Sequence, residues 1–239
     1  MNVNFTGRVI VVAGGTGGLG RAVSLAFLEE GAKVTVTYRR EDEFLALKDS
    51  AGEKALSLEG RQIDATEMGA ATEFINGVLA QHGALDALVN VVGGYRGGVK
   101  FWDLTTKELD QMLDLNLRSG FALAHAAMPA MLKAKSGSIV NVAAKAAVDH
   151  GAGAAAYAAS KAAAVALMDS LAADAKGTGV RVNSILPSII DTRANRLAMP
   201  DSDFATWPKP EDIAKVVLFL SSDHAKTIHG AAVPVYGAA

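Results

Sequence analysis

Apolar residues along this chain fall into two kinds of run that alternate. Short runs rich in β-branched residues read as strands: RVIVVA (8–13), KVTVTY (33–38), LDALVNVV (85–92), GSIVNVA (137–143), VRVNSIL (180–186) and AAVPVY (231–236), with ALSLE (55–59) as a shorter one. Between them the apolar positions recur at helical spacing. Val23, Ala26 and Phe27 share one face after the first strand, and further helices are predicted at about 67–82, 105–134, 154–176 and 211–221. Gly31 stands where a helix C-cap glycine belongs, just before the second strand. Strands that alternate with helices predict an α/β fold, a parallel sheet covered on both faces. The spacing leaves no room for a second domain, so one domain over 1–239 is expected. The segment 191–210, DTRANRLAMPDSDFATWPKP, breaks the rhythm with three prolines and predicts a loop or lid over a bound molecule.

Composition narrows the class. Half the residues are hydrophobic and a fifth are charged, which suits a globular chain with a sizeable core. A net charge of −2 gives no footprint for nucleic acid or an anionic membrane as partner. The absence of cysteine excludes disulfides and thiolate chemistry. The run VIVVA is too short for a signal-peptide core, and no apolar stretch approaches the roughly 20 residues that span a bilayer. The expectation is a cytoplasmic protein acting on a small molecule. The five histidines lack metal-ligand spacing, so no metal site is expected, and no GxSxG elbow is present.

The candidate chemistry lies at two places. AGGTGGLG (13–20) directly follows the first strand and opens the first helix, with Gly14, Gly18 and Gly20 in the spacing GxxxGxG. Such glycines permit a tight turn and close approach of a pyrophosphate to backbone N–H groups, which points to a dinucleotide. Asp64 in QIDAT follows the third strand, where a carboxylate can accept from an adenine amino group or simply cap a turn. Asn90 ends the fourth strand, where the chain passes close to a bound dinucleotide. The second place is Tyr157 and Lys161, four apart and therefore on one helix face. A free phenol has a pKa near 10, and a neighbouring ammonium is expected to lower it enough for general acid–base work.

These residues, with NVVGG (90–94), Asn116 in DLNLRSG and PSIIDT (187–192), together resemble the short-chain dehydrogenase/reductase superfamily over essentially the whole chain. The resemblance implies a Rossmann-type doubly wound parallel sheet of seven strands in a three-layer αβα sandwich. It implies a nicotinamide cofactor against Gly14, Thr16, Gly17, Gly18, Leu19 and Gly20, then Asp64, Ala65, Asn90, Val91, Val92 and Gly93. Pro187, Ile190 and Thr192 would meet the nicotinamide carboxamide, Lys161 would also hold the ribose, and Asn116 would support a water chain to Lys161. The end of the second strand carries Tyr38, Arg39 and Arg40 instead of an acid. A guanidinium can pair with a 2′-phosphate, so NADP(H) is favoured over NAD(H); the alternative is that both arginines pair with Glu41 and Asp42.

One family group is absent. Most members carry a serine thirteen residues before the tyrosine, and here that position is Ala144, preceded by Ala143. Ser138 lies too early and Ser160 is on the wrong helix face. Losing one oxyanion donor costs on the order of 10²–10³ in rate where the reaction depends on it. Within the superfamily, AAKAAVDHGAGAAAYAASK (143–161) and LPSIIDTRANRLAMPDSDFATW (186–207) are similar to dihydropteridine reductases, in the second case through DTxxNRxxMPxxDFxxW. That likeness implies a quinonoid dihydropterin or a related imine, quinone or carbonyl as substrate. A general carbonyl or 3-oxoacyl reductase or alcohol dehydrogenase is the alternative, and a non-catalytic redox sensor the rival class, opposed by the intact Tyr157, Lys161 and Asn116. Tyr95, Phe101, Trp102 and Trp207 could flank a planar substrate, Tyr95 and Trp207 foremost. The alanines at 162, 163, 164, 166, 172 and 173 allow close helix approach, so a homodimer or homotetramer on the helices at 105–134 and 154–176 is expected.

Overall fold

A computed structural model describes residues 3–238. Strand β1 (Val9–Ala13), helix α1 (Gly18–Glu29), β2 (Lys33–Tyr38), α2 (Glu41–Ala51), β3 (Leu58–Gln62), α3 (Met68–His82) and β4 (Ala87–Asn90) make the first half. Helices α4 (Thr106–Leu113) and α5 (Ser119–Ala134), β5 (Gly137–Val142), α6 (Ala155–Asp174), β6 (Val180–Pro187), α7 (Arg193–Ala198), α8 (Pro210–Ser221) and β7 (Ala232–Val235) make the second. All seven strands run parallel in the order β3-β2-β1-β4-β5-β6-β7. Every residue of β1 and β4 is buried, as expected for strands covered on both faces. One face packs against α1, α2 and α8 through Phe27, Leu47, Ile213 and Val217; Phe5 meets Phe27 edge-on at 4.9 Å. The other packs against α3, α5 and α6 through Ile75, Leu123, Met131 and Met168. This is the doubly wound three-layer Rossmann sandwich. Its order reverses between β1 and β4, which opens a crevice at the strands' carboxyl ends.

Several boundaries differ from the sequence reading, each for a physical reason. The third strand is Leu58–Gln62, not 55–59: residues Gly52–Ser57 form a 3₁₀ turn that leaves Leu56 97% exposed. An edge strand needs little apolar signal, and EGRQ carries almost none. Helix α2 was invisible to periodicity because Leu47 is its one buried side chain. The stretch expected as one helix over 105–134 is two, joined by a π-helical turn at Asp114–Arg118 that turns Asn116 inward. The segment 191–210 is not a bare loop, since it contains α7 and a 3₁₀ turn at Phe204–Thr206. In α6, Ala164 and Ala172 face the sheet while Ala166 and Ala173 lie outside.

The glycine-rich turn sits where β1 hands over to α1, and its packing makes two neighbouring glycines unequal. A Cβ on Gly20 would fall 2.0 Å from the Gly14 carbonyl oxygen, whereas one on Gly17 would meet only that oxygen, at 3.6 Å. Gly20→Ala must therefore displace the loop, and a loss of about 2 kcal/mol is expected in urea unfolding. Gly17→Ala should stay within about 0.5 kcal/mol of the parent. Equal stability of the two variants would contradict the close approach.

Candidate active site

The cleft at the switch point has a volume of about 610 Å³. It is lined by the glycine turn (Gly14, Gly17, Gly18, Leu19 and Gly20), by Val91 and Gly93, and by Tyr157, Lys161, Ile190 and Thr192, the last packed against Gly18. Helix α1 starts at the glycine turn with no side-chain cap and no acidic residue in its first turn, so its leading N–H groups are open to an anion. The loop behind them is fixed: Gly14 N–H donates to Thr37 Oγ1 (2.9 Å), Gly15 N–H to Thr37 O (3.2 Å) and Ser24 Oγ–H to Gly15 O (3.1 Å).

Helix α6 carries Tyr157 and Lys161 into the far end. Lys161 is 5% exposed, and its Nζ donates to Val142 O, at the end of β5, over 3.1 Å. Burial brings its pKa down to about 8. The Tyr157 phenol is pushed the other way, to about 12, by burial first and by the neighbouring Tyr95 second. This corrects the expectation that Lys161 depresses the phenol: the amine makes no resolved contribution, and desolvation wins. At neutral pH Tyr157 is a protonated phenol.

Asn116 is buried, and all its polar atoms are engaged. Its Oδ1 accepts from Gly94 N–H (2.9 Å), and its Nδ2 donates to Gly94 O (3.1 Å) and Ser160 Oγ (3.0 Å). A Cβ on Gly93 would come within 2.9 Å of Asn116 Oδ1 and 3.0 Å of Lys161 Nζ, so these two groups border one small space. Ser160 Oγ–H donates to Tyr157 O and Ser138 Oγ–H to Leu220 O, and neither serine lines the cleft. Ala143 lines it; Ala144, the next residue beyond β5, is buried in extended conformation.

The remaining residues singled out by sequence lie around this centre. Asn90 Nδ2–H donates to Asn141 Oδ1, and its own Oδ1 accepts from Val92 N–H. Ala65 and Val92 are packed into the core beside β1, and Pro187 pairs with Val235 in the sheet. Thr16 Oγ1–H donates to Glu43, and Tyr38 stacks on Phe44 at 4.8 Å. Asp64 accepts from Thr66 N–H (3.0 Å) and Thr66 Oγ1–H (2.7 Å), and these bonds more than Arg39 hold its carboxyl below the usual range. Arg39 meets Asp64 at 3.4 Å, both largely exposed. Arg40 is tied to Asp42 and Glu43, not to Glu41. Trp207 is buried against Phe204 (5.0 Å) outside the cleft, so it flanks nothing there. Tyr95 does line the cleft. So do Gly94, Val142, Arg193, Asn195 and Leu197, none of which the sequence singled out; α7, capped by Thr192 Oγ1 accepting from Asn195 N–H (3.2 Å), brings the last three there. Among the described residues no acidic, histidine or cysteine cluster could hold a metal, and no helix is long and apolar enough to cross a membrane.

Comparison with known proteins gives one answer. The profile of the family described as short chain dehydrogenase matches residues 8–202. The chain is 28% identical to the 3-oxoacyl-(acyl-carrier-protein) reductase FabG of Thermotoga maritima, covering 97% of each chain. It is 30% identical to the protein of the same name from Escherichia coli K12, covering 98% of each. The crystal structure of gox2181 superposes with a TM-score of 0.92 at 29% identity, over 99% of this chain and 96% of that one. With the glycine turn, the sheet order and the Tyr157–Lys161 helix in place, this chain belongs to the short-chain dehydrogenase family and is an oxidoreductase of that family.

Proposed function

We propose that this chain is an NADP(H)-preferring reductase of a small carbonyl compound, with Tyr157 as proton donor. One observation carries the reading: the Tyr157 phenol, the buried Lys161 amine and the uncapped start of α1 converge on a single cleft. The chain's atoms fit a dinucleotide, because the first turn of α1, from Gly18, presents N–H groups with no side-chain cap, and Gly93 leaves open the space beside Lys161 and Asn116 that a Cβ would fill. The relatives named as 3-oxoacyl reductases support a carbonyl acceptor. The nicotinamide, when bound, supplies the hydride. Tyr157, protonated at neutral pH, gives its proton to the substrate oxygen. Lys161, with its pKa near neutrality, restores that proton. Asn116 clamps the 93–94 turn against both groups. Arg39, bound only to an exposed carboxylate, is free to meet a 2′-phosphate, while Arg40 is spent on the first turn of α2.

A second reading is favoured by Ala144. A conjugated imine such as a quinonoid dihydropterin accepts hydride without a serine donor, and segment 186–207 shares its pattern with dihydropteridine reductases. The two readings separate in kcat/KM for NADPH-dependent reduction of a simple 3-oxo ester and of quinonoid dihydropterin. Preference for the ester supports the first and preference for the pterin the second; reduction of neither by a chain that binds NADPH removes both.

On whichever substrate is reduced, Tyr157→Phe should lower kcat/KM by about 10²-fold or more. The pH profile of reduction should be flat below about pH 7 and fall as pH rises through about 8, where Lys161 loses its proton. A fall appearing only near the phenol's value of about 12 would remove Lys161 from the relay. For the cofactor, Arg39→Ala should weaken NADPH binding by about tenfold and spare NADH. Equal dissociation constants for NADPH and NADH in the unmodified chain would end that assignment.

A further inference from the structure

The cleft contains a second phenol. Tyr95 lies in GGYRGG (93–98) after β4, and its ring meets that of Tyr157 edge-on, with centroids 4.9 Å apart and planes at 82°. It stands on the cleft wall near Val142 and Ala143, 69% exposed, and its hydroxyl has no hydrogen-bond partner among the described residues. The ring lies against Gly97, where a Cβ would come within 2.0 Å of Tyr95 Oη and 2.5 Å of Cζ; only glycine at 97 lets the phenol rest there. One residue before it, Gly94 is clamped on both its N–H and its carbonyl by Asn116. The turn that carries the phenol is therefore anchored at Gly94, and Gly97 leaves room for its ring.

The neighbouring hydroxyls are committed elsewhere or point away. Ser138 and Ser160 donate to Leu220 O and Tyr157 O, Thr192 Oγ1 caps α7, and the orphaned Ser184 Oγ is buried in β6 outside the cleft. Ala144 offers none. We propose that Tyr95 is the oxyanion donor of this site: its hydroxyl hydrogen-bonds the substrate oxygen in place of the serine that Ala144 lacks. The inference rests on the reductase reading above. In the step, the substrate carbon takes the hydride, the C=O π pair moves to oxygen, and oxygen takes the Tyr157 proton. Tyr95 keeps its own proton throughout, and Tyr157 is reprotonated from solvent through Lys161. The edge-on contact of the two rings, with centroids 4.9 Å apart, brings both phenols to one part of the cleft.

The test uses NADPH-dependent reduction of the 3-oxo ester and of quinonoid dihydropterin, with NADPH affinity measured separately by fluorescence titration. Tyr95→Phe keeps the ring and its edge contact but removes the hydroxyl. Its kcat on the 3-oxo ester, whose developing oxyanion needs a donor, should fall by about 10²-fold with KM and NADPH affinity unchanged. Adding Ala144→Ser to the same chain should recover about tenfold or more, because a β5 hydroxyl then supplies the donor. A full kcat in Tyr95→Phe, or a loss confined to KM, overturns the proposal and leaves Tyr95 an aromatic wall. A loss that Ala144→Ser does not recover overturns it as well. An unmodified chain that binds NADPH yet does not reduce the ester overturns this proposal before any substitution, and brings down the reductase reading with it only where it reduces the pterin no better.

Discussion

The site is organised around an amine with almost no access to water. Lys161 is held by one carbonyl, Val142 O, and its burial shifts its pKa from 10.5 to about 8. A shift of that size costs the folded state about 3 kcal/mol at neutral pH. The sign is that of a depressed lysine: the cost is present below about pH 8 and disappears as pH rises past the unfolded value. Much of the local structure exists to permit this placement. Strand β5 must end with its carbonyl aimed at α6, Gly93 must lack a Cβ, and the π-helical turn must bring Asn116 to the other side of the same space. Stability is given up here where reactivity is needed, as is common for sites that hold polar groups dry.

The same desolvation acts on the two partners in opposite senses and favours the uncharged form of each. A phenol that keeps its proton and an amine that readily sheds one make a site able to hand on protons. At neutral pH the motif is thus, in this structure, a neutral phenol beside a buried ammonium whose hold on its proton is weakened.

The fold was legible because its central strands are buried on both faces and write themselves as unbroken β-branched runs. The edges were not: β3 is polar, and α2 buries one leucine, so neither left a periodic trace in place. Of the site, the residues tied to local geometry could be read, namely the glycines of the β1–α1 turn and the i, i+4 pair on α6. Those that depend on tertiary approach could not. Trp207 and Tyr95 look alike as isolated aromatics, yet one folds under Phe204 and the other over Gly97. Arg39 and Arg40 are adjacent in sequence, and only the position of α2 shows that Arg40 is already committed.

The strand order also dictates when the sheet can be completed. β1 pairs with β2 and β2 with β3, so the first three strands can assemble once the chain has been made to residue 62. The inner edge of β1 then stays bare until β4 arrives, with Ile10 set beside Ala87, and β4 in turn waits for β5, with Ala87 beside Ser138. Closing such distant pairs is slow because loop entropy must be spent before any contact forms. During that interval the chain exposes VIVVA, its most hydrophobic strand, as an unpaired edge, and the glycine turn at its end has no opposite wall to bind against.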